Sequence, residues 1–418
     1  MKRWLWLWLL PAFLAAPWAG AAERADLPPG ALVEKALREH PAVVAARAGV
    51  GVGEAARDQF EAGPHEFNLR LGSAQRREVA TNQRLPEKQV GIERALRLPG
   101  KAEKDAQIGA AVLEQARDAY GDALHEAGRL LLRSWFDWQR EEAAAREWRT
   151  QVELLQRQSG IAAKRVAAGD AARIEALLTT AQQAQAEAQA AQAEQRARIA
   201  AGVMAQHFPS LPLPLPPTPA TAAPQPVAQP FDAWREKFLE HNHELRLART
   251  ASHRQQLQAQ RADADRLPDP TVGLTWSSER DGQERVVGFA LSIPLPGAGR
   301  AAAARGAQAE SAAAAAREAQ ALAKAEAEAR RNFQAAQGAY LQWQRLADAA
   351  ARIEENAALL EKAWRFGEGQ IGDLLNARRQ AIEAKLAATQ AQLDAAEAAY
   401  RLQLDTHELW PLDDLSER

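Results

Sequence analysis

Cysteine is absent from this chain of 418 residues. That removes disulfides, thiolate metal sites, cysteine nucleophiles and any lipid-modified cysteine anchor. Methionine is nearly absent too. After Met1 only Met204 remains, so no thioether relay for soft metals can be built. Charge of one sign is missing: 52 Lys and Arg balance 54 Asp and Glu, which gives no electrostatic case for nucleic acid. No glycine-rich loop runs into a Lys-Ser or Lys-Thr pair, so nothing cradles a nucleotide phosphate. Beyond the first 22 residues no apolar run reaches about 18 residues, the length a spanning helix needs. Membrane entry by the rest of the chain would therefore require a closed β-barrel.

What chemistry-bearing side chains there are do not assemble into a catalytic or metal site. His241, His243 and His253 cluster in sequence, but spacings of two and ten residues do not put them on one helix face, and they read as surface histidines. Carboxylate pairs such as Glu141-Glu142 alternate with basic residues, as on a solvated helix face. The chain reads as neither an enzyme nor a cofactor carrier.

Residues 1–22 have the form of a secretory signal. Lys2 and Arg3 supply positive charge, Trp4 to Ala16 a short apolar core, and Ala19-Gly20-Ala21 a small-residue cleavage site.

The chain then contains itself twice. Glu39-His40-Pro41 with Ala46-Arg47 is echoed by His241-Asn242-His243 with Ala248-Arg249. Leu98-Pro99-Gly100 returns as Leu295-Pro296-Gly297. Gly169 followed by Glu175-Ala176-Leu177-Leu178 returns as Gly367 followed by Asp373-Leu374-Leu375. The offsets stay near 197 to 202 residues. The expected organisation is a first repeat over 23–208, a proline-rich extended linker over 209–230, a second repeat over 231–410 and a short tail over 411–418.

Each repeat predicts the same order: a helix (31–61 and 231–266), two short strands, and a very long Ala/Gln/Glu/Arg-rich helix (101–166 and 299–365). A glycine break and a further helix (171–206 and 371–408) complete it. A helix of 65 residues would run roughly 100 Å. Alanine-rich seams would let such helices pack side by side in an extended array.

The strands alternate with period two. Val272, Leu274 and Trp276 alternate with Gly273, Thr275 and Ser277, and Val287, Phe289, Leu291 and Ile293 with Gly288, Ala290 and Ser292. In the first repeat Phe67, Leu69 and Leu71 face one way, and Val90, Ile92, Leu96 and Leu98 form the return strand, where Arg94 interrupts the apolar face. The charged segments 73–88 and 277–285 read as loops. Val272, Leu274, Trp276, Val287, Phe289 and Leu291 are the expected lipid-facing set. Four strands cannot close a barrel, so several chains would have to pool theirs. A soluble hairpin packed on helices has the same alternation.

The signal, the tandem repeats, the strand pairs and the paired long helices together resemble the TolC family of outer-membrane efflux proteins. The most specific words are Gly169 to Leu178 and Trp364-Arg365-Phe366-Gly367-Glu368-Gly369-Gln370-Ile371-Gly372-Asp373-Leu374-Leu375-Asn376-Ala377. The Leu98-Pro99-Gly100-Lys101 segment looks like that family's passage from barrel strand to long helix. Residues 365–379 are worded most like the branch that serves heavy-metal exporters of the cobalt-zinc-cadmium or copper-silver type. The resemblance implies a mainly α fold with a small β part and a homotrimer forming a twelve-stranded barrel in outer-membrane lipid. It implies a periplasmic helical tunnel, and as partners a periplasmic adaptor and an inner-membrane pump of RND type. Gly169, Arg365 and Gly367 would then mark helix turns that dock the adaptor, and Glu175 and Asp373 would ring the tunnel mouth. Arg165, Arg173 and Arg365 are the candidate partners that would hold that mouth closed. A periplasmic coiled-coil adaptor and a structural rod are the competing readings. Adaptors carry strand-rich domains that have no counterpart here, and the strand pairs count against a rod.

Overall fold

The computed structural model describes residues 26–213, 223–410 and 412. The signal segment, the middle of the linker and most of the tail lie outside the described residues. Among the described residues no helix is long and apolar enough to cross a membrane.

Helix α1 (Gly30–Glu39) and α2 (Pro41–Ala62) lead into strands β1 (Asn68–Arg77) and β2 (Arg84–Ala95). The long α3 (Lys101–Ala167) and then α4 (Arg173–His207) complete the first half. The second half repeats the order with α5 (Phe231–His241), α6 (His243–Ala264), β3 (Thr271–Glu279), β4 (Glu284–Ser292), α7 (Ala298–Arg365) and α8 (Ile371–Asp405).

Two expectations need correction. The first helix of each half is two helices. Pro41 sits at the first position of α2, where its missing N–H is harmless, and it forces His40 into extended backbone. In the second half Asn242 is extended and its side chain caps α6 by accepting from the Leu245 N–H at 2.8 Å. The strands also differ in extent: β2 ends at Ala95 and β4 at Ser292, before Leu96, Leu98 and Ile293, while both hairpins run further into their charged segments than expected, with 277–279 and 284–285 paired in the second. In the first, residues 73–77 and 84–88 are paired strand, and the turn between them is short.

Helices α3 and α7, of 67 and 68 residues, span roughly 100 Å each at 1.5 Å per residue. Helix α3 packs along α4, α7 along α8, and α3 also touches α2, α6 and α8. The seams are lined by alanine: Ala186, Ala190, Ala193 and Ala197 on α4, and Ala304, Ala314, Ala325 and Ala329 on α7. Small side chains permit close helix approach but bury little area each. The anchoring burial is therefore concentrated in two aromatic clusters near mid-length. One joins Trp135, Phe136 and Leu131 of α3 to Leu37, Met204 and Phe208. The other joins Trp234 and Phe238 of α5 to Phe333 of α7 and Leu402 of α8. Two of the buried indoles also satisfy their N–H: Trp135 on the Asp26 carbonyl at 2.8 Å, Trp234 on the Leu402 carbonyl at 3.1 Å.

Candidate functional site

The four strands form one antiparallel sheet in the order β1-β2-β3-β4, so β1 and β4 are both free edges. The register lines up side chains across all four. Leu69, Ile92, Leu274 and Phe289 form one row; Leu71, Val90, Trp276 and Val287 form the next. Arg94, Val272 and Leu291 share a third row, where the Arg94 guanidinium lies over the Phe67 ring at 4.7 Å. The apolar rows are exposed: Leu71 is 71% exposed, Val287 77% and Phe289 70%. The opposite face carries Arg70, Gly91, Thr275 and Gly288 in one row, with no apolar band. A sheet of this kind, with an exposed apolar face and open at both edges, is not a finished soluble surface.

Where the sheet meets the helices, Asp269 ties four segments together. Its carboxylate takes the Lys101 ammonium at 2.8 Å, the Leu98 N–H at 3.1 Å and the His65 imidazole at 2.9 Å. Lys101 is only 2% exposed and also donates to the Leu267 carbonyl, with Asp265 at 3.0 Å. Burial raises the Asp269 carboxyl's pKa, but its hydrogen bonds from Lys101, His65 and Leu98 outweigh that and hold it at about 2. Lys101 therefore fixes the angle between strand and helix. The sequence offered it only as part of a motif; its partner lies 168 residues away.

At the far end of the helices, Gly169 and Gly367 occupy the same left-handed backbone, with φ of 81° and 80°. Both close α3 and α7 by the same pair of bonds. Gly169 N–H reaches the Val166 carbonyl and Asp170 N–H the Arg165 carbonyl; Gly367 reaches Trp364 and Glu368 reaches Ala363. This is the Schellman arrangement, which needs a left-handed residue and so favours glycine. Glu175 and Asp373 then fall at the third position of α4 and α8, close to the exposed N–H groups of the helix start.

The two carboxylates differ in surroundings. Glu175 is half-buried, 3.8 Å from Arg165 and 3.5 Å from the Trp364 indole N–H. The Arg165 guanidinium lies 5.5 Å from that same indole, so a contact joins the two halves at the turns. Asp373 is exposed and has no ion pair among the described residues. Arg365, expected as a partner for these carboxylates, instead pairs with Glu361, one helical turn back on its own helix. Glu361 also binds Arg378, which reaches Glu354 at 2.6 Å. Arg378 is buried and was not singled out from sequence, because its partners lie on another helix. Phe366, at the tip of the second turn, is 73% exposed.

His253 is exposed as expected, but His243 is not. His243 is buried, not superficial, because the break at Asn242 turns it inward. Its ring lies 5.4 Å from His125 and 5.1 Å from His407, and His241 lies 4.8 Å from His407. Burial and then the Arg129 charge push the His125 imidazole well below its ordinary value. His125 is thus a neutral group inside a polar core that includes Asp405 and Arg129. Among the described residues no cluster of His, Asp or Glu is arranged to hold a metal ion.

No family model matches the chain, and no curated protein does. Solved structures match over nearly its whole length. The CmeC outer membrane channel of Campylobacter jejuni superposes with a TM-score of 0.73 at 12% identity, covering 93% of this chain and 89% of that one. The outer membrane protein VceC of Vibrio cholerae gives 0.74 at 15% identity, covering 91% and 95%. The open state of the MtrE outer membrane channel of Neisseria gonorrhoeae gives 0.62 at 19% identity, covering 94% of both. The fold is that of the outer-membrane channel protomers: mainly helical, with a small antiparallel sheet.

Proposed function

We propose that this chain is the outer-membrane channel subunit of a tripartite efflux system. Three copies join β4 of one sheet to β1 of the next, closing a twelve-stranded barrel and leaving no edge in lipid. The long helices form a tunnel below it. The observation that carries this reading is the exposed apolar face shared by all four strands, two rows of it wholly apolar and a third broken only by Arg94. On this reading residues 1–22 are removed on export and residues 23–208 and 231–410 are the two efflux repeats. The chain conducts passively and catalyses nothing. The helix turns at Gly169 and Gly367, with Arg365 and the bare Phe366 ring beside them, dock a periplasmic adaptor that connects to an inner-membrane pump of RND type.

The cargo proposed is heavy-metal cations. The wording of residues 365–379 supports this, and so does the charge of the barrel interior. The inner face of the sheet carries Glu87, Glu93, Glu279 and Glu284 against Arg70 and Arg76. An acidic lining favours cations, and a ring of three Asp373 carboxylates at the mouth adds to it.

The test begins with fractionation. The mature protein should sit in the outer membrane and run in detergent at three times the protomer mass; a stable soluble monomer would refute the channel. In planar bilayers under a salt gradient, the wild type should be cation-selective and Asp373→Asn less so. An unchanged reversal potential would leave Asp373 as a helix-start carboxylate only, worth about 0.3–1 kcal/mol of helix stability.

A further inference from the structure

The sheet separates its charges by face. Every acid on the strands points to the inner face, and the inner arginines are paired with them: Arg70 with Glu93 at 2.7 Å, Arg76 with Glu87 and, at 3.0 Å, with Glu279. No acid lies on the outward face of any strand. That face instead has a cationic margin. Beyond the apolar rows, at the end far from the helices, comes the row Ser73, Lys88, Ser278, Arg285, in which every side chain is a hydrogen-bond donor. Further out, Arg77 and Arg84 stand directly opposite each other on the same face.

Two features of this margin lack an internal explanation. Lys88, Arg84 and Arg285 are exposed and form no ion pair among the described residues, and Arg77 bonds only the neutral Asn82 amide. Like charges directly opposite each other in a sheet destabilise it, so the Arg77–Arg84 pair is a cost that a shared anion would relieve. The row lies two residues, or about 7 Å along the strand, beyond the Trp276 row. That is the depth at which an apolar band gives way to lipid head groups.

We propose that this outward margin, Lys88, Arg285, Arg84 and Arg77 with the hydroxyls of Ser73 and Ser278, binds the phosphate groups of the outer-leaflet glycolipid. The inference rests on the outer-membrane reading above. It goes further by naming a lipid partner and its subsite. The guanidinium pair suits one phosphate held bidentately, and Lys88 and Arg285, two strands apart, suit a second. In a trimer the site occurs three times around the rim, on the lipid side of the barrel. It leaves the conducting face untouched.

The test compares the wild-type trimer in detergent with two variants. One replaces Lys88, Arg285, Arg84 and Arg77 together with Gln; the other makes Arg70→Gln and Arg76→Gln on the inner face. Each is given bis-phosphorylated lipid A, fully dephosphorylated lipid A or phosphatidylglycerol. Binding is read by native mass and by the temperature at which the trimer dissociates. Lipid A should bind and raise that temperature in the wild type and the inner-face variant, and bind roughly tenfold or more weakly to the outer-face variant. Equal effects of dephosphorylated lipid A or of phosphatidylglycerol would overturn the proposal, as would full binding by the outer-face variant. If the wild type forms a trimer and conducts but ignores lipid A, this inference alone fails. A wild type that neither trimerises nor inserts would sink the channel reading with it.

Discussion

The Lys101 ammonium, buried at the start of the longest helix of the first half, sits 2.8 Å from the carboxylate of Asp269 at the foot of the third strand. One bond thus couples the first half's strand-to-helix passage to the second half's helix-to-strand passage. Lys101→Met removes the cation and leaves Asp269 and Asp265 facing each other with less compensation. Breaking a buried pair in this way costs about 3 kcal/mol. The measured outcome should be a lower thermal midpoint for loss of helical signal. Asp269→Asn should lower it as well, and the double variant should lose less than the sum of the two. Strict additivity would show that the pair does not act as a unit.

Acid should act through His125 first. Its folded imidazole is held neutral well below 6.5, by burial and then by Arg129, whereas in the unfolded chain it takes up a proton near 6.5. Below that pH the unfolded state binds the extra proton, so stability falls as pH falls. The thermal midpoint should therefore drop between pH 7 and pH 5, and His125→Gln should flatten that slope. The Asp269 carboxyl is also shifted downward, but there the shift favours the charged form, because Lys101, His65 and the Leu98 N–H bond the carboxylate. Its contribution is full above about pH 4 and is lost only as pH falls toward 2. The two groups therefore act in separate pH windows, and a slope at pH 6 unaffected by His125→Gln would contradict the assignment.

The two faces of the sheet should tolerate charge unequally. Leu274 points outward in the middle apolar row, while Ala290 lies at almost the same depth on the opposite face. Leu274→Lys should cost about 2–4 kcal/mol, and Ala290→Lys far less. The readout is the yield of folded, heat-modifiable trimer on refolding into vesicles. Equal yields would mean that the outward face does not contact lipid.

At the helix turns, Gly367 has no atom within 4 Å of where a Cβ would stand, so only backbone conformation opposes a side chain there. Gly367→Val should leave the trimer assembled, because the left-handed penalty is only about 1–2 kcal/mol against a helix of this length. It should abolish export if the turn docks an adaptor. Retained export, measured as resistance in a deletion strain, would move the docking surface elsewhere.

Much of the architecture was legible because it depends on local pattern. Period-two alternation marks Val272, Leu274 and Trp276 as one face, and glycine at 169 and 367 marks a helix stop followed by a restart. The repeated offset doubled the signal of each. What could not be read depends on contacts distant in sequence. Nothing near Lys101 announces Asp269, and nothing near Arg378 announces Glu354 and Glu361. His243 alone of the three clustered histidines was misread, because helix-face arithmetic assumes one continuous helix, and the break at Asn242 resets the phase before it. The proline at 41 carried the same warning for the first half. Within the single chain Arg365 pairs with Glu361 a turn back on its own helix, a local partner that the sequence reading did not consider.

The central seam of the sheet joins β2 to β3, pairing Lys88 with Ser278 and Ile92 with Leu274. Each hairpin is local and can close within microseconds once its own residues are available. The seam cannot, because its partners are separated by a whole repeat and a proline-rich linker. During synthesis there is thus an interval in which two half-sheets exist apart, each with an apolar face and two unpaired edges. How long they stay apart is set by the arrival of the second repeat. The duplication that makes the finished molecule symmetrical makes its birth sequential.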